Sequence, residues 1–194
     1  MNRGYHEIKE HGKREFPFNI YPCSIPVDFS HVALHWHEEM EIIAVKKGKG
    51  RITVDTVSYP VEEGDILAVF PGQLHAISCG NGERMEYENI IFRLSMLMGD
   101  NGDGCTVHFL KPLQEGQAKN PVLIQRNQPD HEVFGKVIQE LDRFSEIRGN
   151  GYQLAVKGQL FLFLYYAYGR GILFTEKKPG HAREKIKGIL EYIR

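Results

Sequence analysis

The sequence predicts a mainly β protein: a small antiparallel jelly roll followed by a pair of α-helices. Between residues 16 and 92, short segments rich in β-branched and aromatic residues alternate with Gly- and Pro-containing turns, which is typical of an antiparallel sandwich or barrel. After residue 130 the apolar residues recur at steps of three and four, which indicates amphipathic helices. A change of period at one place in the chain therefore predicts strands first and helices second.

Composition limits the classes of protein that this chain can belong to. At 194 residues it suits one domain with an appendage. Lys plus Arg number 24 against 25 Asp plus Glu, so the net charge of −1 predicts no direct binding of DNA by this chain. Three widely spaced cysteines without a C-x-x-C motif indicate reduced thiols and a cytoplasmic location. No signal peptide is evident, and the longest apolar run is too short to span a bilayer.

A group of potential metal ligands begins at His35, with His37 and Glu41 following at short spacing and His75 further along the chain. Side chains two apart in a strand share a face and are about 7 Å apart at Cα, so His35 and His37 can converge on one small object. We expect Glu41 to reach the same point from a neighbouring strand and His75 from a third. Three imidazoles and a carboxylate suit one divalent ion such as zinc, nickel, iron or manganese.

The spacing of this group separates it from a chance pair of histidines. The chain has nine histidines, and a lone H-x-H pair is usually just two polar residues near a strand end. Here residues 35–48 and 64–75 resemble the first and second cupin motifs. Phe29, Phe70 and Cys79 depart from the usual Gly, Pro and Asn of those motifs, but none of these departures removes a ligand. The resemblance implies a cupin-type double-stranded β-helix, with the four residues inside its barrel.

The regions of the chain follow from these patterns. Residues 1–15 are polar and predict a flexible N-terminal arm, and residues 16–125 form the cupin barrel. Within the barrel region we expect Cys105–Leu110 to be a short edge strand. Residues 130–171 form the helical pair, with Asp130 as a plausible cap of the first helix. Residues 175–194 read as a polar linker followed by the start of another helix, which ends in mid-pattern at the last residue.

The second helix of the pair predicts a dimer. Between Leu160 and Tyr168 it is apolar nearly all round, so both of its faces need cover. One face can pack on the barrel or on the first helix, and a second copy of the chain can cover the other. The alternative is that the first helix and the barrel together bury the whole segment. The expected dimerisation residues are Phe161, Leu164, Tyr165 and Tyr168.

The order of these parts resembles one family from about residue 16 onward. A cupin barrel, a helical pair, a linker and a helix beginning Arg183-Glu184-Lys185-Ile186 are similar to the N-terminal half of AraC-type transcriptional regulators. That resemblance implies a barrel that senses a small molecule, often a sugar, and a helical pair that makes a homodimer. It also implies a C-terminal domain of two helix-turn-helix units, missing from this chain, through which the full protein binds DNA.

Three functions compete at this point. The leading hypothesis is a cytoplasmic effector-sensing domain, in which the barrel binds a small molecule through the four potential ligands and through further inward-facing residues, Arg51, Tyr87 and Arg93. The runner-up is a metal-dependent cupin enzyme, such as a dioxygenase or a sugar isomerase. A dimerisation scaffold with an inert barrel is the third, but it leaves four converging polar residues unexplained. Whether the four residues hold a metal or bond directly to each other and to an effector stays open.

Overall fold

The computed structural model describes residues 5–7, 11–100 and 102–172, and the predicted linker and final helix at 175–194 lie outside the described residues. The strands are β1 (Phe18–Ile25), β2 (Val32–His35), β3 (Met40–Val54), β4 (Val57–Glu62), β5 (Ile66–Val69), β6 (His75–Ser78), β7 (Met85–Phe92) and β8 (Val122–Ile124). The helices are α1 (Lys111–Gln114), α2 (His131–Ile147) and α3 (Tyr152–Gly169). The predicted jelly roll followed by a helical pair is confirmed. None of the helices in the described part combines the length and the apolar character needed to cross a bilayer.

Strand β3 connects the two sheets of the barrel. Its first half pairs antiparallel with β5 and β7, and its second half pairs with β4 and β6. The register between β3 and β7 shifts between Val45 and Lys47, which marks a bulge at the bend. Just beyond it, Gly48 has a φ of 77° and a Cβ there would lie 2.0 Å from the carbonyl oxygen of Arg84. Only glycine fits this close approach of two strands.

Two apolar cores lie on opposite faces of the sheet formed by β1, β7, β3, β5 and β8. Met40, Ile42 and Ala44 face the helices, whereas Ile43 and Val45 face the inside of the barrel. Both faces of β3 are therefore buried, which explains why its apolar run shows no alternation. Glu41 has the same parity as Ile43, so its side chain points into the barrel.

The helical pair packs on the outer face of that sheet. Phe134 of α2 and Phe163 of α3 are both fully buried, with ring centroids 5.3 Å apart in an edge-to-face arrangement. Lys46 of β3 lies between the carboxylates of Glu88 and Asp142, at 2.6 and 2.9 Å, and so links the barrel to α2. The position of the helices relative to the barrel is held by apolar packing supplemented by this ion-pair network.

The segment predicted as an edge strand is helical, which corrects the sequence-based expectation. Residues Thr106–Leu110 form a π-helical turn that continues into α1. The Asp103 carboxylate accepts hydrogen bonds from the Thr106 amide at 2.8 Å and from its hydroxyl at 2.7 Å, which satisfies a helix N-terminus. The buried side chains of Leu110 and Leu113 then face the helical core. Local capping outweighs the strand propensity of this β-branched and aromatic segment.

The outer surface of α3 is apolar and exposed at several positions. Phe161 and Tyr165 are 40% and 71% exposed, and Leu154 and Leu162 are exposed as well. Leu164 is only 3% exposed, so most of its side chain packs inside this chain, although it also lines the apolar groove that Phe161 and Tyr165 border. The reason is helical geometry, since Leu164 lies four residues after the fully buried Leu160 and shares its face. Tyr168 is half-buried, and its hydroxyl donates to the carbonyl oxygen of Phe109 at 2.5 Å.

Candidate metal and effector site

The four potential ligands come from three strands and one connection. His35 ends β2 and lies directly opposite His75, the first residue of β6. His37 follows in the connection to β3, and Glu41 lies near the start of β3. One ligand atom from each of these residues lies within 4.8 Å of all the others. The structure therefore brings together all four residues that the motif spacing singles out.

Main-chain carbonyls orient all three imidazoles in the same way. The Nδ1 atoms of His35, His37 and His75 lie 2.9, 3.1 and 3.0 Å from the carbonyl oxygens of Ala33, Glu39 and Gln73. A carbonyl only accepts hydrogen bonds, so each Nδ1 carries the donated proton. Each Nε2 is left for the centre of the group. Such outer contacts are what fix the orientation of metal-binding histidines.

The carboxylate of Glu41 holds the inner edges of two rings. Its Oε2 atom lies 2.9 Å from Nε2 of His37 and 3.1 Å from Nε2 of His75. A carboxylate oxygen accepts and cannot donate, so these contacts need protons on the imidazole nitrogens when no cation is present. A divalent ion would replace those protons and bind the same three atoms.

The charges in the group reflect burial and mutual contact. Burial alone would raise the pKa of Glu41, but the neighbouring imidazoles of His75 and His37 outweigh it and hold that pKa far below its usual range. Burial alone would lower the pKa of His37, but the bond to Glu41 raises it instead. Burial, with His75 adding to it, lowers the pKa of His35 to about 4. At neutral pH, Glu41 is ionised and His35 is neutral.

The group fits a divalent metal ion and is accessible from one side. The side chains of His37, Glu41 and His75 are no more than 2% exposed, whereas that of His35 is 19% exposed. Three imidazole nitrogens and one carboxylate oxygen match the donors of zinc, nickel, iron and manganese sites. The Nε2 atoms of the three histidines already point to the centre of the group. These four residues would hold the ion, and the bound ion would supply Lewis acidity at a site that is accessible on the side of His35.

The turn before β6 aims His75 and explains the Pro-Gly dipeptide of the second motif. Gly72 has a φ of 77°, and its amide donates to the carbonyl oxygen of His37 at 2.8 Å. The Gln73 side chain is buried and accepts a hydrogen bond from the Phe70 amide at 2.8 Å. This turn joins the second motif to the first through main-chain contacts. Gln73 was not recognised from the sequence, although its place between Pro-Gly and His75 is a usable signal.

Arg93 contacts the site through Glu39 rather than lining the barrel. Glu39 is 4% exposed, with one carboxylate oxygen 3.7 Å from Nδ1 of His37 and the other accepting from Nε of Arg93 at 2.8 Å. The Arg93 side chain is 48% exposed and lies at the rim. The expectation that Arg93 faces the interior is corrected, because it follows β7 and stands where the strand has ended.

Tyr87 lines the barrel, and Arg51 does not. Tyr87 is 1% exposed inside the barrel core, its hydroxyl lies beside the thiol of Cys23, and burial raises its pKa. Arg51 is exposed, while its neighbour Ile52 points inward. The bulge between Val45 and Lys47 inserts one residue, so the inward parity of β3 changes from odd to even positions. The sequence pattern does not reveal this bulge, so Arg51 was expected to face inward and instead faces outward.

Three further polar residues border the barrel interior. Asn89 has the parity of Tyr87 on β7, and its buried Oδ1 atom has no hydrogen-bond partner in the described residues. Tyr21 pairs with Asn89 across β1 and β7, and its hydroxyl lies 3.2 Å from Nδ1 of His11. The His11 ring is buried, 6.2 Å from that of His37. Strand parity would have revealed Asn89, but no sequence signal marks His11.

A cupin barrel with a buried cluster of three histidines and one glutamate is typical of a domain that binds a small molecule. The chain belongs to the AraC-like ligand binding domain family, whose model matches residues 26–164. Over 88 residues it is 27% identical to an uncharacterised HTH-type transcriptional regulator, YdeC, of Bacillus subtilis. That match covers 45% of this chain and 30% of the regulator, so the chain spans under a third of the length of this curated relative.

One solved structure shows the same fold over most of this chain. ToxT from Vibrio cholerae superposes with a TM-score of 0.50 at 15% identity, covering 91% of this chain and 65% of that one. A cupin 2 conserved barrel domain protein from Salinispora arenicola is 20% identical with a TM-score of 0.38, covering 46% of this chain and 74% of that one. The first similarity extends over both the barrel and the helices.

Proposed function

We propose that this chain is the ligand-sensing and dimerisation domain of a bacterial AraC-family transcription regulator, and that a small-molecule effector binds in its cupin barrel. The observation that carries the proposal is the convergence of three histidines and one glutamate inside the barrel of a domain of this family. DNA is contacted through a separate domain. The free thiols of Cys23, Cys79 and Cys105 are consistent with a reducing cytoplasm.

The barrel interior offers partners for a polar ligand beyond the four clustered residues. The buried Asn89 Oδ1 atom has no hydrogen-bond partner among the described residues, and the buried Tyr87 hydroxyl has beside it the thiol of Cys23, a weak hydrogen-bonding group. A buried polar group without a partner is costly, so a ligand that bonds to these atoms gains affinity. An effector shifts the regulator only if it binds one arrangement of the protein better than another.

One divalent ion, coordinated by His35, His37, Glu41 and His75, is part of this proposal. The turned-in Nε2 atoms and the carbonyl contacts of the Nδ1 atoms support it. In the alternative, the same groups bond to each other and directly to the effector, as the contacts of Glu41 illustrate. Elemental analysis distinguishes the two states.

The test of effector binding is a thermal-shift screen of small molecules with zinc supplied and with chelator. We expect at least one class of compound to raise Tm, because a ligand that binds only the folded state stabilises it. The hit should be weakened in Tyr87→Phe or Asn89→Leu and unchanged in Tyr59→Phe, a partly buried tyrosine outside this group. A hit that is insensitive to both barrel variants would contradict binding at this place.

A metal-dependent enzyme is the second candidate, because the ligand set is accessible at His35. A turnover screen with iron or manganese against simple sugars and catechols separates the two functions. We expect no turnover at ordinary enzymatic rates, roughly 1–1,000 per second. Turnover in that range that is abolished in His75→Ala would replace the sensor hypothesis.

A further inference from the structure

Three residues of the N-terminal arm are attached to Trp36, which lies between the first two histidines of the site. The Trp36 amide donates to the carbonyl oxygen of Tyr5 at 2.7 Å, and the Glu7 amide donates to the carbonyl oxygen of Trp36 at 2.9 Å. The His6 ring stacks on Trp36 with centroids 4.0 Å apart and planes inclined by 14°. Residues 5–7 thus continue the barrel edge next to the site.

This attachment places the carboxylate of Glu7 at the accessible side of the site. One of its oxygens lies 3.4 Å from Nε2 of His35, and the two side chains are 32% and 19% exposed. The Nδ1 atom of His35 donates to Ala33, so its Nε2 atom is the one that faces Glu7 and the centre of the group. Glu7 therefore lies at the side from which a ligand would approach.

Glu7 is a neighbour of the ligand set and not one of its members. It is absent from the four residues whose ligand atoms all lie within 4.8 Å of one another. Two main-chain hydrogen bonds and one ring stack, all to Trp36, hold residues 5–7 beside the site. A ligand can displace this short segment without dismantling the buried part of the site, since His37, Glu41 and His75 are held by other contacts.

On the basis of the proposed function, we propose that the Glu7 carboxylate occupies the position at which the effector binds. The effector is a small organic carboxylate that displaces Glu7 from this position. With a divalent ion and the single carboxylate of Glu41, the site carries one uncompensated positive charge in a buried setting. The carboxylate of Glu7 supplies the missing negative charge from the accessible side. A carboxylate ligand restores the same balance when Glu7 leaves, whereas a neutral polyol does not.

Displacement of Glu7 has a built-in reporter. Trp36 is the single tryptophan of the chain, and its ring is the one on which His6 stacks. When Glu7 leaves His35, the adjacent stack is disturbed, and the fluorescence of Trp36 changes. Zinc is the suitable ion for this measurement because its filled d shell absorbs no visible light and has no redox chemistry.

The experiment titrates zinc-supplemented protein with acetate and benzoate at constant ionic strength while Trp36 emission is recorded. Acetamide and benzamide are the neutral controls of the same shape, and inorganic phosphate tests for a general anion site. We expect a saturable change with at least one carboxylate and none with its amide or with phosphate. In Glu7→Gln the carboxylate should bind roughly three- to tenfold tighter, because the competing internal group is weakened.

Glu15→Gln is the matched control, since Glu15 is an exposed carboxylate of the same arm. It should bind the carboxylate with the affinity of the unmodified chain. The inference is overturned if neither carboxylate gives a saturable change, if amides or phosphate act equally, or if Glu7→Gln and Glu15→Gln behave alike. These criteria apply to the zinc-supplemented protein, because the bound ion would supply the positive charge that either carboxylate balances.

The failure of this inference can be distinguished from failure of the proposed function. A neutral compound that raises Tm through Tyr87 or Asn89 without a Trp36 response would leave the sensor function intact. It would contradict the inference that the effector is a carboxylate. Turnover that depends on His75 would instead remove the sensor function itself. The thermal-shift, turnover and fluorescence readouts are independent of one another.

Discussion

At the scale of single residues, the orientation of the imidazoles depends on the main chain more than on other side chains. Each histidine of the site bonds through Nδ1 to a carbonyl oxygen two residues away. Those carbonyls belong to the strands and turns that form the barrel, so the ligand geometry is set when the barrel folds. Substituting one of the four ligands should therefore remove metal binding without changing the orientation of the other three.

The first prediction concerns metal retention. Protein purified without a nickel column should contain about one divalent ion per chain, and His37→Ala should lose it. His31→Ala is the control, because His31 is exposed and its Nδ1 atom lies 3.0 Å from the Ser30 hydroxyl, away from the four ligands. Elemental analysis of the three proteins is the measurement. Retention in His37→Ala, or equal loss in both variants, would contradict the site.

The same site predicts a direction of pH dependence. Metal ligands must be deprotonated, and contact with Glu41 raises the pKa of His37 above its usual value. Protons therefore compete with the ion more strongly as the pH falls through the neutral range, and metal retention should decrease in that direction. Zinc titrations at several pH values measure it. Retention that improves on acidification would contradict the role of His37.

Glu39 needs Arg93 because it is a buried carboxylate. Arg93→Met keeps most of the side-chain volume and removes the charge that pairs with Glu39. Breaking a fully buried pair costs roughly 3–5 kcal/mol, but Arg93 is about half exposed, so we expect a loss of about 1–2 kcal/mol in unfolding free energy. Urea denaturation measures it. Arg84→Met, at an exposed position, should change stability little, and an equal effect of both variants would argue against this role.

At the scale of elements, one arginine joins three parts of the chain. Arg170, just after α3, donates to both carboxylate oxygens of Asp130 at 2.7 and 2.6 Å and to the carbonyl oxygen of Leu123 in β8 at 3.1 Å. Asp130 was expected to cap α2, but it makes no capping hydrogen bond and binds Arg170 instead. The contact fixes the end of α3 against the start of α2.

Asp130→Asn tests this contact and its pH dependence. Arg170 lowers the pKa of Asp130, so its stabilisation is present above the carboxyl's unfolded pKa and is lost as the pH falls through the lower folded value. The Asp130 side chain is 40% exposed, so we expect a loss of at most about 1 kcal/mol at neutral pH, shrinking in acid. Thermal unfolding at several pH values measures it. Glu140→Gln, in an exposed ion pair on α2, is the control.

At the scale of the whole molecule, the exposed side chains of α3 predict self-association. Phe161 and Tyr165 border an apolar groove of about 200 Å³ together with Phe109 and Cys105. Exposed apolar patches of this kind mark interaction surfaces, and a second copy presents the same surface by symmetry. We therefore expect a homodimer through the helical pair.

Sedimentation of the unmodified chain and of Phe161→Lys and Tyr165→Glu tests the dimer. The two variants should be monomeric, because dimerisation would bury the introduced charge in an apolar interface. Val57→Glu is the control, since Val57 is 51% exposed on β4, away from the helices. An unmodified chain that is monomeric at high micromolar concentration would contradict the dimer.

The sequence by itself determined the fold class and the identity of the four clustered residues. Strand alternation, turn residues and helical periodicity are local, so they can be recognised without coordinates. The H-x-H pair, Glu41 and His75 were recognisable because a strand periodicity and a two-part spacing relate them. The same local information was misleading for Thr106–Leu110, where a capping aspartate outweighed the propensity of the segment.

Only the tertiary structure decided contacts between residues far apart in the chain. The bulge after Val45 reversed the parity of Arg51, and the packing of α3 placed Leu164 inside the protein. The pairing of Arg93 with Glu39 and the approach of Glu7 to His35 join positions without any periodic relation. Such contacts depend on how strands and helices are placed in space, and local periodicity carries no information about that placement.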